Sequence, residues 1–161
     1  DPEMSRGLGD VYKRQRIAFG YRNTILRLFG AKIGKHVHIY SSTVIWFPWN
    51  LEIGDWSAIG EETLIYNLGK VTIGEKATVS HRVHVCAGTH DYTDPALPLL
   101  HPEIRIGNQA WICANTFIGP DIEIGEGAVI GAGTVMVKDA EPWGVYAGNP
   151  AKYIKKRILK H

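Results

Sequence analysis

Residues 106–136 read IGNQAWICANTFIGPDIEIGEGAVIGAGTVM. Within them a large apolar side chain returns at every sixth position, as Ile106, Ile112, Ile118, Ile124, Ile130 and Met136. Glycine often follows it, as at Gly107, Gly119, Gly125 and Gly131, and four places on comes a small or β-branched residue: Ala110, Thr116, Ala128 and Thr134. The same beat runs upstream through Ile33, Ile39 and Ile45, then Ile53, Ile59 and Ile65, then Ile73, Val79 and Val85. Self-similarity at a short fixed period marks a solenoid, in which no single repeat buries its apolar face alone.

An α-helix cannot carry this pattern. Six residues advance about 600° at 100° each, so the aliphatic row would spiral around the cylinder instead of facing one core. Plain alternation fails as well. A six-residue unit of one short strand and one turn succeeds: the strand turns the aliphatic and small residues inward, and glycine frees the backbone at the corner. Three units close a triangular coil, and stacked coils set isoleucine over isoleucine, with caps at the two ends. The fold class is an all-β repeat solenoid with coils over about 31–138. The period does not give its hand, since parallel crossovers are right-handed in about 98% of cases.

Residues 16–161 read as one domain. Asp1 to Gln15 lacks sustained periodicity and is set apart as a non-native or disordered leader. Arg16 to Phe29 reads as an amphipathic helix, with Ile17, Ile25, Leu26 and Phe29 available for one face and Gly30 as its stop. Asn149 and Pro150 read as the start of a C-terminal helix over about 150–160. Between Val85 and Ile106 the beat is interrupted, and an insertion over about 91–105 leaves the stack as a surface loop. His90 stands just before it.

Composition narrows the function. A net charge of +2, with basic residues mostly near the chain ends, gives no nucleic-acid footprint. No apolar run approaches the roughly 20 residues of a membrane span and no signal pattern opens the chain, which places the protein in the cytoplasm. Cys86 and Cys113 form neither a disulfide framework nor a zinc knot.

Four segments carry a resemblance to a known family: Ala87-Gly88-Thr89-His90-Asp91-Tyr92, Ile106-Gly107-Asn108-Gln109-Ala110-Trp111-Ile112, Ile130-Gly131-Ala132-Gly133-Thr134, and Ala147-Gly148-Asn149-Pro150-Ala151-Lys152. They are similar to the hexapeptide-repeat acetyltransferases of the galactoside, maltose and nodulation-factor type, and most of all to the colanic acid acetyltransferases. The resemblance implies a left-handed parallel β-helix, acetyl-CoA as acyl donor, a small sugar-like acceptor, and a homotrimer with active sites between subunits. It implies His90 as catalytic base, and it places Trp111, Ala114, Ala132, Val137, Lys138, Lys152 and Lys155 along the pantetheine and phosphate path. The position matching the galactoside enzymes' asparagine is Gly60, a departure on the acceptor side.

The chemistry suits the residue. An imidazole with a pKa near 6.5 accepts a hydroxyl proton as the oxygen attacks a thioester, which is already activated and requires no acyl-enzyme. The partner orienting His90 is sought among Glu61, Glu62, a backbone carbonyl and Asp91, with Asn67 and Tyr92 added as acceptor-side candidates. The lysines of 152–157 equally suit a solvated face, and Trp111 ordinary outer packing. A zinc reading of His81, His84 and His90 is disfavoured, because the first two lie three apart on alternating faces; no metal is expected. His36 and His38 read as surface histidines. Trp46, Phe47, Trp49 and Trp56 read as packing anchors or as an acceptor platform. N-acetylation of an amino sugar, a zinc hydratase and a non-catalytic scaffold are the alternatives.

Overall fold

The computed structural model describes residues 19–160. The expected leader and the start of the first helix, Ile17 included, lie outside the described residues. A helix over 19–28 is followed by coils of three short strands each. The first coil is β1 (Lys32–Ile33), β2 (His38–Ile39) and β3 (Val44–Ile45); the second is β4 (Leu51–Ile53), β5 (Ala58–Ile59) and β6 (Leu64–Tyr66). The third is β7 (Val71–Ile73), β8 (Thr78–Val79) and β9 (His84–Cys86). A hairpin of β10 (Thr89–His90) and β11 (Leu99–Leu100) then leaves the stack. The fourth coil is β12 (Ile104–Ile106), β13 (Trp111–Ile112) and β14 (Phe117–Ile118); the fifth is β15 (Ile122–Ile124), β16 (Val129–Ile130) and β17 (Val135–Met136). A partial sixth turn adds a bridge from Ile124 to Ala140 and β18 (Gly144–Ala147). The excursion thus ends at Glu103, because Ile104 and Arg105 have already rejoined the stack opposite Val71 and Thr72.

The strands form three parallel sheets: β1-β4-β7-β12-β15, the second β2-β5-β8-β13-β16-β18, and the third β3-β6-β9-β14-β17. The six-residue beat is the register of this stack. Ile33, Ile53, Ile73, Ile106 and Ile124 lie over one another, as do Ile39, Ile59, Val79, Ile112 and Ile130. All ten are buried. The third column, Ile65, Val85, Ile118 and Met136, is buried too, with Ile45 half-buried at its open end. Each fully buried isoleucine contributes about 1.5–3 kcal/mol relative to exposure. The small positions add polar rungs: the Thr43, Ser57, Thr63 and Thr116 hydroxyls donate to the carbonyls of Gly60, Gly74, Ser80 and Gly131 in the next coil, at 2.6–3.1 Å.

The repeat glycines have a different role from the one expected. The left-handed backbone at the corners falls two residues after them, on His36, Trp56, Lys76 and Gln109 at φ of 54–62°. The glycines permit close stacking. A Cβ on Gly74 would stand 2.6 Å from the Asn108 nitrogen, and one on Gly107 2.6 Å from that of Glu126.

The helix caps the first coil. Arg22 donates to the carbonyls of Ser41 and Thr43, Asn23 to Val37, and Arg27 to Ile33 and Gly34, which no preceding coil satisfies. Leu26 and Asn23 are its buried residues, whereas Phe29 is exposed, because a helix so rich in donors points polar groups at the open rim. Gly30, at φ 92°, ends it through the bonds Gly30 N–H to Arg27 and Ala31 N–H to Leu26.

The expected C-terminal helix is instead a strand, β19 (Lys152–Lys156), antiparallel to β18. The last sheet edge carries unpaired backbone groups, and a returning strand satisfies them where a helix could not. Tyr153 packs on Tyr146 with centroids 5.6 Å apart, and Arg157 anchors the end by donating to the carbonyls of Gln109 and Gly127 at 2.9 Å. No helix among the described residues is long and apolar enough to cross a membrane.

Candidate active site

His90 lies in β10, exposed, on the hairpin that rises from the edge between the third and first sheets. Its base is closely packed. A Cβ on Gly88 would meet Tyr66 Cε1 at 2.9 Å and Leu68 Cδ1 at 2.7 Å, so only glycine lets the hairpin leave over these side chains. On the return, Pro102 and His101 carbonyls press on Gly69 so closely that a Cβ there has no room.

The imidazole Nδ1 lies 2.6 Å from the carbonyl oxygen of Leu97. A carbonyl only accepts, so Nδ1 carries the proton and the neutral ring leaves its Nε2 lone pair free. The loop tip builds this contact. Asp91 Oδ1 accepts from the Thr93 amide (2.9 Å) and hydroxyl (2.6 Å), Asp94 Oδ1 accepts from the Ala96 amide (2.8 Å), and the Leu97 amide donates to the Asp94 carbonyl. Leu97 itself sits at φ 46°, a left-handed conformation that leucine rarely adopts. The Thr93 hydroxyl and amide hold the Asp91 carboxyl below the usual range.

Within one chain the other candidates lie as follows. Glu62 pairs with Arg82 at 2.8 Å, which lowers its pKa, and with Glu61 it lies at the edge between the second and third sheets. Asn67 is fully buried: its amide donates to the Phe47 carbonyl (2.6 Å) and accepts from the Phe47 amide (3.0 Å), holding the wide corner of the first coil. Tyr92 is exposed. Leu97 and Tyr66 were not singled out by the sequence; a left-handed leucine has no local signature, and Tyr66 could have been found as the coil-two register partner of Cys86, just before the hairpin.

The residues that the resemblance sets along the donor path fall at the third–first edge, at the second–third edge, on the outer face of the second sheet and on β19. Val137 and Lys138 are exposed at the third–first edge, two coils beyond the hairpin. Ala114 and Ala132 stack at the second–third edge, with Gly133 N–H on the Ala114 carbonyl, while Trp111 stands on the outer face of the second sheet with Nε1 donating to Ser80 Oγ. Lys152 and Lys155 are exposed on β19, at the edge of that sheet. Ala132 is exposed and Ala114 half-buried, and neither Lys152 nor Lys155 forms an ion pair among the described residues.

The outer faces differ in kind. The first sheet presents Lys32, Glu52, Thr72, Arg105 and Glu123, with Lys32 and Lys70 paired to Glu52. The third presents Val44, Leu64, His84, Phe117 and Val135 in one column between the two edges. His84 lies edge-on to Phe117 at 5.2 Å, its Nε2 buried without a partner among the described residues and its pKa lowered by burial. Cys86 and Cys113 are free, and burial raises the Cys113 thiol. Among the described residues no three metal-ligating side chains gather. His36 stacks on Trp56 at 3.9 Å and His38 on Phe19 at 5.0 Å, so Trp56 stands apart from the Trp46 group.

The family model for bacterial transferase hexapeptide (six repeats) matches residues 103–138. The chain is 36% identical over 143 residues to the protein assigned as colanic acid biosynthesis acetyltransferase WcaF of Escherichia coli, spanning 89% of this chain and 79% of that one. It is 32% identical over 120 residues to the dTDP-4-amino-4,6-dideoxy-D-glucose acyltransferase of Escherichia coli, spanning 68% and 62% of the two chains. Among solved structures, a maltose O-acetyltransferase from Clostridium difficile 630 superposes with a TM-score of 0.79 at 27% identity, covering 88% of this chain and 77% of its own. Galactoside acetyltransferase in complex with coenzyme A gives 0.79 at 27%, covering 84% and 69%. The solenoid and these relatives together establish that the chain belongs to the hexapeptide-repeat acetyltransferases, enzymes that take their acyl group from acetyl-CoA.

Proposed function

We propose that this acetyltransferase moves the acetyl group to a hydroxyl of a sugar or saccharide intermediate, with His90 as general base. The single observation that carries this reading is the bond from His90 Nδ1–H to the Leu97 carbonyl, which leaves Nε2 as the accepting nitrogen. Nε2 takes the hydroxyl proton as the oxygen attacks the thioester carbonyl. The C–O bond forms, the C–S bond breaks, and the imidazolium returns its proton to the departing thiolate. No acyl-enzyme intervenes, and the raised Cys113 thiol is poorly suited to form one. The relatives named for colanic acid, maltose and galactoside favour a saccharide oxygen. The relative named for an amino sugar nucleotide favours the second reading, transfer to an amine.

The functional unit in this reading is a trimer. Ala114 and Ala132 lie on one edge and Val137 and Lys138 on another, separated by the third sheet, and a second copy would bring one chain's Ala114, Ala132 and Lys152 toward its neighbour's His90, Val137 and Lys138. The apolar column of the third sheet, through Leu64, Phe117 and Val135, supplies surface to bury between copies. Phe117→Asp is expected to yield monomers by light scattering and to abolish turnover; a variant that stays trimeric would overturn this interface, and a monomeric wild type would overturn the trimer.

The function is tested by free-thiol release from acetyl-CoA across a panel of sugars, amino sugars and nucleotide sugars. Hydroxyl-dependent turnover that falls by about 10²–10⁴ in His90→Ala, with unchanged thermal unfolding, supports the reading. Equal activity in the variant refutes the base, and amine-only turnover selects the second reading.

A further inference from the structure

The edge between the third and first sheets runs past His90 in both directions. Two coils toward the C-terminus it carries Val137 and Lys138, and two coils toward the N-terminus it carries Trp46, Phe47 and Trp49. The tryptophans are 53% and 59% exposed. Trp46 meets Tyr66 edge-on with centroids 4.9 Å apart, Phe47 lies 5.2 Å from Trp49, and Tyr66 packs beneath Gly88, two residues before His90. An aromatic surface therefore leads from the first coil directly to the base of the hairpin.

This surface is built and held. The corner is widened by the turn Pro48–Asn50, locked by both amide atoms of Asn67 on Phe47 and by Asn50 Nδ2 on the carbonyls of Asn67 and Leu68. The Asn67 amide and Asn50 Nδ2 are thus spent on the backbone, and Trp46 and Trp49 are the exposed side chains of the corner. Rigid, pre-ordered aromatic faces bind with little loss of conformational freedom. A ligand that suits them offers an apolar face and needs few hydrogen bonds from the platform, as the C–H face of a hexopyranose does.

Resting on the proposed acetyl transfer to a saccharide, we infer that Trp46, backed by Tyr66, stacks a sugar ring of the acceptor other than the one acetylated. The spacing sets the size. Trp46 lies two coils, about 10 Å at about 4.8 Å per coil, from the coil that bears His90. That exceeds one pyranose ring, so the acceptor is an oligosaccharide and not a monosaccharide, with donor and acceptor approaching His90 from opposite ends of the edge.

The test compares glucose, maltose, maltotriose, galactose and galactobiose as acceptors for the wild type, Trp46→Ala and Trp46→Phe. Wild-type kcat/KM is expected to rise by up to about tenfold from monosaccharide to disaccharide, the scale of one aromatic contact. Trp46→Ala should erase the gain through the acceptor KM, leaving the acetyl-CoA KM and thermal unfolding unchanged, and Trp46→Phe should restore part of it. The same gain in Trp46→Ala, or none in the wild type, overturns the inference. Calorimetric titration of the same saccharides separates the two readings. Binding that Trp46→Ala abolishes, without acetyl transfer in the wild type, keeps the platform and refutes the transfer; binding of none of them to the wild type overturns the platform.

Discussion

The carbonyl of Leu97 accepts a hydrogen bond from His90 Nδ1 at 2.6 Å, and Leu97 reaches it only through a left-handed backbone at φ 46°. The geometry of the proposed base is therefore stored in the conformation of a loop residue seven positions away.

Leu97→Val should disturb that geometry, because a β-branched side chain disfavours positive φ. Leucine already bears the left-handed penalty, and an added cost of about 1 kcal/mol from β-branching should lower kcat by up to about tenfold while the acetyl-CoA KM stays constant. Leu97→Gly should retain more activity. Steady-state kinetics checks both, and an unchanged kcat in Leu97→Val would remove Leu97 from the positioning of His90.

Gly74 and Lys76 make opposite demands on the same corner. Gly74→Ala places a Cβ 2.6 Å from the Asn108 nitrogen and should destabilise the fold by about 1–3 kcal/mol or more. Lys76→Gly, at φ 54°, relieves a left-handed side chain and should be neutral or stabilising by up to about 1 kcal/mol. Urea unfolding of the two variants reads the difference in sign.

His84 gives a pH dependence. Burial lowers its pKa, so the folded chain binds fewer protons than the unfolded one between the lowered value and the ordinary value near 6.5. The stability it permits is complete above about pH 6.5 and is lost as pH falls toward the folded-state pKa. His84→Phe should flatten the unfolding midpoint between neutral and mildly acidic pH; an unchanged slope would assign the dependence to other groups.

Lys152→Ala and Lys155→Ala should raise the acetyl-CoA KM, with a defect that shrinks at high salt as the lost attraction becomes screened in the wild type as well. Titration of coenzyme A at low and high ionic strength checks this. A defect independent of salt would mark the lysines as supports of β19 and not as phosphate contacts.

The amino-acid order by itself determined the solenoid, its three inward columns, the place of the excursion and the histidine beside it. These follow from a period of six, which is local information: each inward isoleucine announces its row without reference to any other coil. What only the tertiary structure decided depends on what lies one coil away. Gly74 is required by Asn108 beneath it, not by its own torsion angles, and Asn67 is consumed by the Phe47 backbone in the preceding coil. Lys152–Lys156 became a strand because β18 left an edge to be paired, a demand that no helical pattern in those residues records. The partner of His90 is a main-chain oxygen, and every residue carries one, so only the fold of the loop could say that it belongs to Leu97.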